Sequence, residues 1–128
     1  MRFGQQWPPF WIAAENANRL LCQHIFETTG KNSLNGLFGL NNALHMVAKK
    51  GNVEVCKFIV NYLEDKNPID NFGLTPFHYA AKNGHANVCV VLMRNLLNKN
   101  PGNRDGWTPL HEAAKYGKIE VCKVILFF

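Results

Sequence analysis

The stretch RDGWTPLHEAAKYG, residues 104–117, decides the fold. It holds a Trp, a His beside a Glu, and a Lys-Tyr pair. His111 and Glu112 look like the start of a metal-binding helix. That reading fails within HEAAK (111–115), because Lys115 stands where a zinc-protease helix needs its second His. The other reading is one copy of a unit built several times.

The four cysteines favour the second reading. Cys22, Cys56, Cys89 and Cys122 are spaced by 34, 33 and 33 residues. Four windows align on them: QQWPPFWIAAENANRLLC (5–22), GLNNALHMVAKKGNVEVC (39–56), FGLTPFHYAAKNGHANVC (72–89) and DGWTPLHEAAKYGKIEVC (105–122). The last two agree at ten of eighteen positions, the second and fourth at eight, the first and third at six. Average composition gives roughly one by chance. The chain is therefore an array, and a fixed period of this size marks a stacked-repeat architecture.

Each unit reads as a helix pair. Thr75 and Thr108 are N-cap candidates, whose side-chain oxygen can accept a free helix N–H. Pro76 and Pro109 follow at the first helical position, where a missing N–H costs nothing. Gly51, Gly84 and Gly117 end the first helix, since glycine adopts the left-handed conformation readily. The second helix carries an apolar stripe at helical spacing: Val53, Cys56, Ile59, Val60 and Leu63. The segments ANVCVVLMRNLL and IEVCKVILFF repeat it. A polar turn then leads to a hairpin-like tip at NFG or RDG.

These residues carry a resemblance. DGWTPLHEAAKYGKIEVCKVIL is similar to the ankyrin repeat, with its 33-residue period and T-P-L-H-x-A core. The match is strong in the last two units, good in the second and weak in the first. It implies an all-α solenoid of stacked helix-turn-helix units whose inner helices line a concave face. The expected domain is single, over residues 1–128. Its units are a degenerate N-terminal one at 5–38, then 39–71, 72–104 and a truncated 105–128. Ala80, Ala81, Ala113 and Ala114 are small enough to let inner helices approach. One unit cannot cover its own apolar faces, so neighbours must.

Departures from the pattern set further expectations. Asn42-Ala43 replaces Thr-Pro, with Asn42 as the expected cap. The first unit has Pro8-Pro9, Trp11 and Ala17 in place of the pattern. Residues 27–39, rich in Gly and Asn, read as an irregular finger. Leu63 and Leu96 stand where the resemblance leads one to expect Gly, which suggests a longer second helix. The chain stops at CKVILFF, with Ile125, Phe127 and Phe128 uncovered, the pattern expected of a piece of a longer array or, as the alternative, of aromatics that dock on another protein.

Chemistry finds little support. His45, His78 and His111 recur eleven residues before a Cys, the ingredients of a Cys–His pair or a zinc site. Packed helices sit about 8–10 Å apart, too far for disulfides between equivalent cysteines and for convergent metal ligands. The resemblance implies a structural His bonding between units. TGKN (29–32) lacks the Ser/Thr and the upstream Gly of a phosphate loop. No catalytic residue, metal or cofactor is expected, and the chain reads as a non-enzyme. No apolar run is long enough to span a membrane, the N-terminus has no secretory apolar core, and unpaired cysteines suit a reducing compartment. An intracellular, cytoplasmic place is expected, with the nucleus as the alternative.

What remains is surface. The resemblance puts partner contacts at tips and inner-helix ends: Phe72, Leu74, Arg104, Asp105 and Trp107, then Lys49, Lys50, Lys82, Asn83, Lys115 and Tyr116. Lys49, Lys82 and Lys115 fall in register, and the formal net charge is +5. The expected partner is a protein with an acidic or phosphorylated segment. Nucleic acid is the rival ligand, and a plain spacer within a solenoid the rival role. Lys and Asn are common at such helix ends, and a solvated Lys face is the ordinary explanation.

Overall fold

A computed structural model describes residues 19–29, 40–63, 67–96, 101–103 and 105–127. Among these residues the chain is all helical. The helices are α1 (Arg19–Thr29), α2 (Leu40–Lys50), α3 (Val53–Tyr62), α4 (Pro76–Lys82), α5 (Ala86–Arg94), α6 (Pro109–Lys115) and α7 (Ile119–Phe127).

They stack in two layers. The inner helices α2, α4 and α6 pack in sequence, and the outer helices α1, α3, α5 and α7 pack behind them. Each of the pairs α2–α3, α4–α5 and α6–α7 also packs within itself. The core lies between the layers, built from Val47, Val55, Ile59, Phe77, Val88, Leu92 and Val121. Ala80, Ala81 and Ala113 are fully buried where inner helices meet, whereas Ala114 is exposed.

The start signals work as their chemistry requires. Thr75 and Thr108 each accept a hydrogen bond from the N–H three residues on, at 3.3 Å. His78 and His111 return the bond: Nδ1 accepts from the threonine N–H at 3.2 and 3.0 Å. This is a capping box in which His replaces the usual Glu. Pro76 and Pro109 open their helices.

The histidines also join neighbouring units. His78 Nε2 donates to the Trp107 carbonyl at 2.8 Å, and His45 Nε2 to the Leu74 carbonyl at 3.0 Å. A carbonyl only accepts, so the proton sits on Nε2 and Nδ1 is left as acceptor. His78 is fully buried. Burial pushes its pKa below the ordinary histidine value, against the raising pull of the Trp107 hydrogen bond and the charges of Glu112 and Asp70.

The turn glycines are in the left-handed region: Gly51 at φ 82°, Gly84 at 78° and Gly117 at 68°. Gly51 has a second reason to be glycine. The His85 ring covers it so closely that a Cβ would sit 2.5–2.8 Å from ring atoms. His85 Nε2 meanwhile donates to the Lys49 carbonyl at 2.9 Å, near the end of α2.

Three expectations need correction. Helix α2 begins at Leu40, so Asn42 lies inside its first turn and not at the N-cap position; no proline sets the start at residue 43, which is Ala. Helix α1 runs to Thr29, so residues 27–29 are helical, aided by the side-chain pairs Arg19–Gln23 and Gln23–Glu27. Residues 30–39 lie outside the described set, as do Pro8, Pro9, Trp11 and Ala17. The outer helices are not lengthened: α3 stops at Tyr62 with Leu63 extended at φ −87°, ψ 136°, and α5 stops at Arg94 with Asn95 as its C-cap. Leu63 turns inward and is buried, so it is core after the helix end.

Candidate partner-binding face

The surface residues named from the sequence fall at two edges of the inner layer. One edge is the tips before the N-termini of α4 and α6. The other is the C-terminal ends of α2, α4 and α6. A helix of this length separates the edges by roughly 10 Å, at about 1.5 Å per residue.

The tips are built alike. Asp70 Oδ1 accepts from the N–H of Phe72 and of Leu74, both at 2.9 Å. Asn103 Oδ1 accepts from Asp105 at 2.9 Å and Trp107 at 3.0 Å. Gly73 and Gly106 complete the turns at φ 77° and 76°. Tyr79 also donates its hydroxyl to Asp70. Partial burial pushes the Asp70 carboxyl up, but hydrogen bonds from Tyr79, Leu74 and Phe72 outweigh it and hold the pKa below its usual range. Asp70 and Asn103 stand 33 residues apart and organise both tips. Their local signal in the sequence is an Asp or Asn three residues before the tip glycine, Gly73 or Gly106.

The tips present different side chains. Phe72 projects from its tip, 80% exposed. Trp107 is only 37% exposed, since its ring stacks on His111 of its own unit, with centroids 4.8 Å apart at 27°. Asp105 is exposed. Leu74 is half-buried; its N–H donates to Asp70 and its carbonyl accepts from His45. Arg104 lies outside the described residues.

The helix-end edge is basic. Lys49, Lys50, Lys82, Asn83, Lys115 and Tyr116 are all exposed. The Asn83 amide folds back to donate to the Tyr79 carbonyl at 3.0 Å, so it serves its own helix end. Tyr116 is the C-cap of α6. The ammoniums of Lys82 and Lys115 lie over its ring, 5.3 and 5.4 Å from the centroid. Cation–π attraction of this kind is worth about 0.5–1 kcal/mol at exposed sites. It brings side chains from two units together on one face. The structure thus joins Lys82, Lys115 and Tyr116, and sets Phe72 and Trp107 apart from them at the other edge.

Three of the cysteines sit where burial suppresses thiolate chemistry. They are free, and Cys22, Cys56 and Cys89 are buried in the outer layer. Burial pushes the Cys56 and Cys89 thiols up to about 12 and Cys22 to about 11, where the nucleophilic thiolate is scarce. Among the described residues no group of three or more His, Cys, Asp and Glu is placed to hold a metal. No helix among them is long and apolar enough to cross a membrane.

Comparison with known proteins agrees with this geometry. No curated protein matches the chain. The family described as ankyrin repeats (3 copies) matches residues 10–100 and 62–127. Ankyrin repeats are generally protein–protein interaction modules. With nearly its whole length matched, two helical layers and histidine bonds running from unit to unit, the chain belongs to the ankyrin-repeat family.

Proposed function

We propose that this chain is a non-catalytic interaction module. It engages an acidic segment of a partner protein through the exposed C-terminal ends of its inner helices. The observation that carries the reading is the pairing of Lys82 and Lys115 across Tyr116, with Lys49 one repeat further along the row. The gathering concentrates positive charge beside an exposed aromatic ring, a combination suited to an acidic segment. Tyrosine is also among the residues enriched in binding hot spots.

The test is reconstitution with a purified acidic partner captured by this chain. The Lys49→Glu, Lys82→Glu, Lys115→Glu variant, at unchanged helicity, is expected to weaken binding at least about tenfold, or about 1.4 kcal/mol. Equal binding by parent and variant would remove this edge from the account and favour a spacer role. Nucleic acid as the ligand would show instead as tight binding to a duplex, with a steep loss as salt rises from counterion release.

A further inference from the structure

We infer that Asn83 is a site of spontaneous deamidation, gated by the turn that ends α4, and, resting on the reading above, that its product weakens the basic edge for an acidic partner. Asn83 is exposed and is followed by Gly84. Glycine has no Cβ, so its backbone nitrogen reaches a preceding asparagine side chain with the least crowding. The reaction needs only water. The Gly84 nitrogen loses its proton and attacks Asn83 Cγ. The Cγ–Nδ2 bond breaks, ammonia leaves with that proton, and a cyclic imide remains. Water then breaks one of the ring C–N bonds, leaving aspartate or isoaspartate at position 83.

The fold holds the reacting groups apart. The Asn83 amide donates to the Tyr79 carbonyl at 3.0 Å, and the Gly84 N–H donates to the Ala81 carbonyl at 3.2 Å. Asn83 sits at ψ 2°, which turns the Gly84 nitrogen away from the side chain, whereas ring closure needs that nitrogen eclipsing Cβ. The His85 N–H pins the turn to the Ala80 carbonyl at 2.9 Å. The Lys118 stem of the next unit lies against Gly84, 3.0 Å from where a Cβ would stand. Ring closure therefore waits for this turn to open, a local event that leaves the rest of the array folded.

The product changes the edge. Asn83 caps α4 as Tyr116 caps α6 in the next unit. A carboxylate there has no proton to donate to the Tyr79 carbonyl and sits at the negative end of the helix dipole. It also puts a negative charge next to Lys82, on the face where Lys82 and Lys115 meet over Tyr116.

The experiment holds the full chain at mildly alkaline pH in buffer and in urea and follows Asn83 by peptide mapping. Asn35–Gly36, the other Asn-Gly of the chain, calibrates the urea rate. Asn83 is expected to react in both, at least about tenfold faster in urea, where the turn is open. Equal rates would overturn the gate. No reaction in buffer, or none in urea while Asn35 reacts, would overturn the site. The deamidated chain, separated by charge, and Asn83→Asp are then compared with the parent for a fluorescent Glu-rich peptide by anisotropy. Both are expected to bind at least about threefold more weakly. Equal, measurable affinity in all three would overturn the effect on the edge and leave the acidic-partner reading standing. Binding by none of them would overturn that reading and the effect with it, while the two rates still decide the modification site.

Discussion

At the scale of single residues, His78 carries the most structure. Its Nδ1 accepts the Thr75 N–H, and its Nε2 donates to a carbonyl of the next unit. The Nδ1 bond requires the neutral ring, because a protonated Nδ1 cannot accept, whereas the Nε2 bond survives protonation. Burial depresses its folded-state pKa, while the unfolded chain keeps a value near 6.5. The unfolded state therefore takes the proton first. Stability is full above about pH 6.5 and falls as the pH drops from there toward the folded-state pKa. Chemical denaturation at a series of pH values should show this decline, and His78→Gln should flatten the slope while lowering stability throughout. A slope between pH 7 and 5 that His78→Gln leaves unchanged would assign it to other groups. The His of the repeat was visible in the sequence. The resemblance also implied its bond between units, made to a carbonyl 29 residues away; its second bond, from Nδ1 to the capping threonine's N–H, was not legible.

At the scale of elements, the inter-helix turn shows how one unit is fitted to the next. Gly51 and Gly117 share a left-handed backbone, but only Gly51 is covered by a ring. Gly117→Ala meets nothing within 4 Å, so it should cost only the backbone strain, about 1–2 kcal/mol. Gly51→Ala drives a Cβ into His85, whose ring must leave and give up its bond to the Lys49 carbonyl. It should cost clearly more than Gly117→Ala, and His85→Ala should erase most of the difference. Equal losses for the two glycines, measured by urea denaturation, would show that His85 yields freely. The sequence made these helix pairs legible because the Thr-Pro start, the Gly stop and the apolar stripe are local signals. It misled at α2, where Asn42 resembles a cap but no proline fixes the start. It also misled at Leu63, whose apolar character suited helix and core alike.

At the scale of the whole molecule, the units form a ladder in which each contacts its neighbours, as expected of a quasi-one-dimensional fold. Positions equivalent by the 33-residue period differ in burial along that ladder. Met93 is fully buried, whereas Leu126 is 61% exposed. The ladder also turns one lysine per unit into a row, which no single unit could offer. The row was legible as a spacing in the sequence. The gathering of Lys82 and Lys115 on Tyr116 needed the structure, since it depends on side chains from two units meeting. The wide separation of the tip aromatics from the lysines also needed it. The most direct test of the binding face is an amide NMR titration of the full chain with a Glu-rich peptide. The account predicts shift changes centred on residues 49–50, 82–83 and 115–116. Changes centred instead on the tips at 70–74 and 103–107, or no changes at saturating peptide, would contradict it.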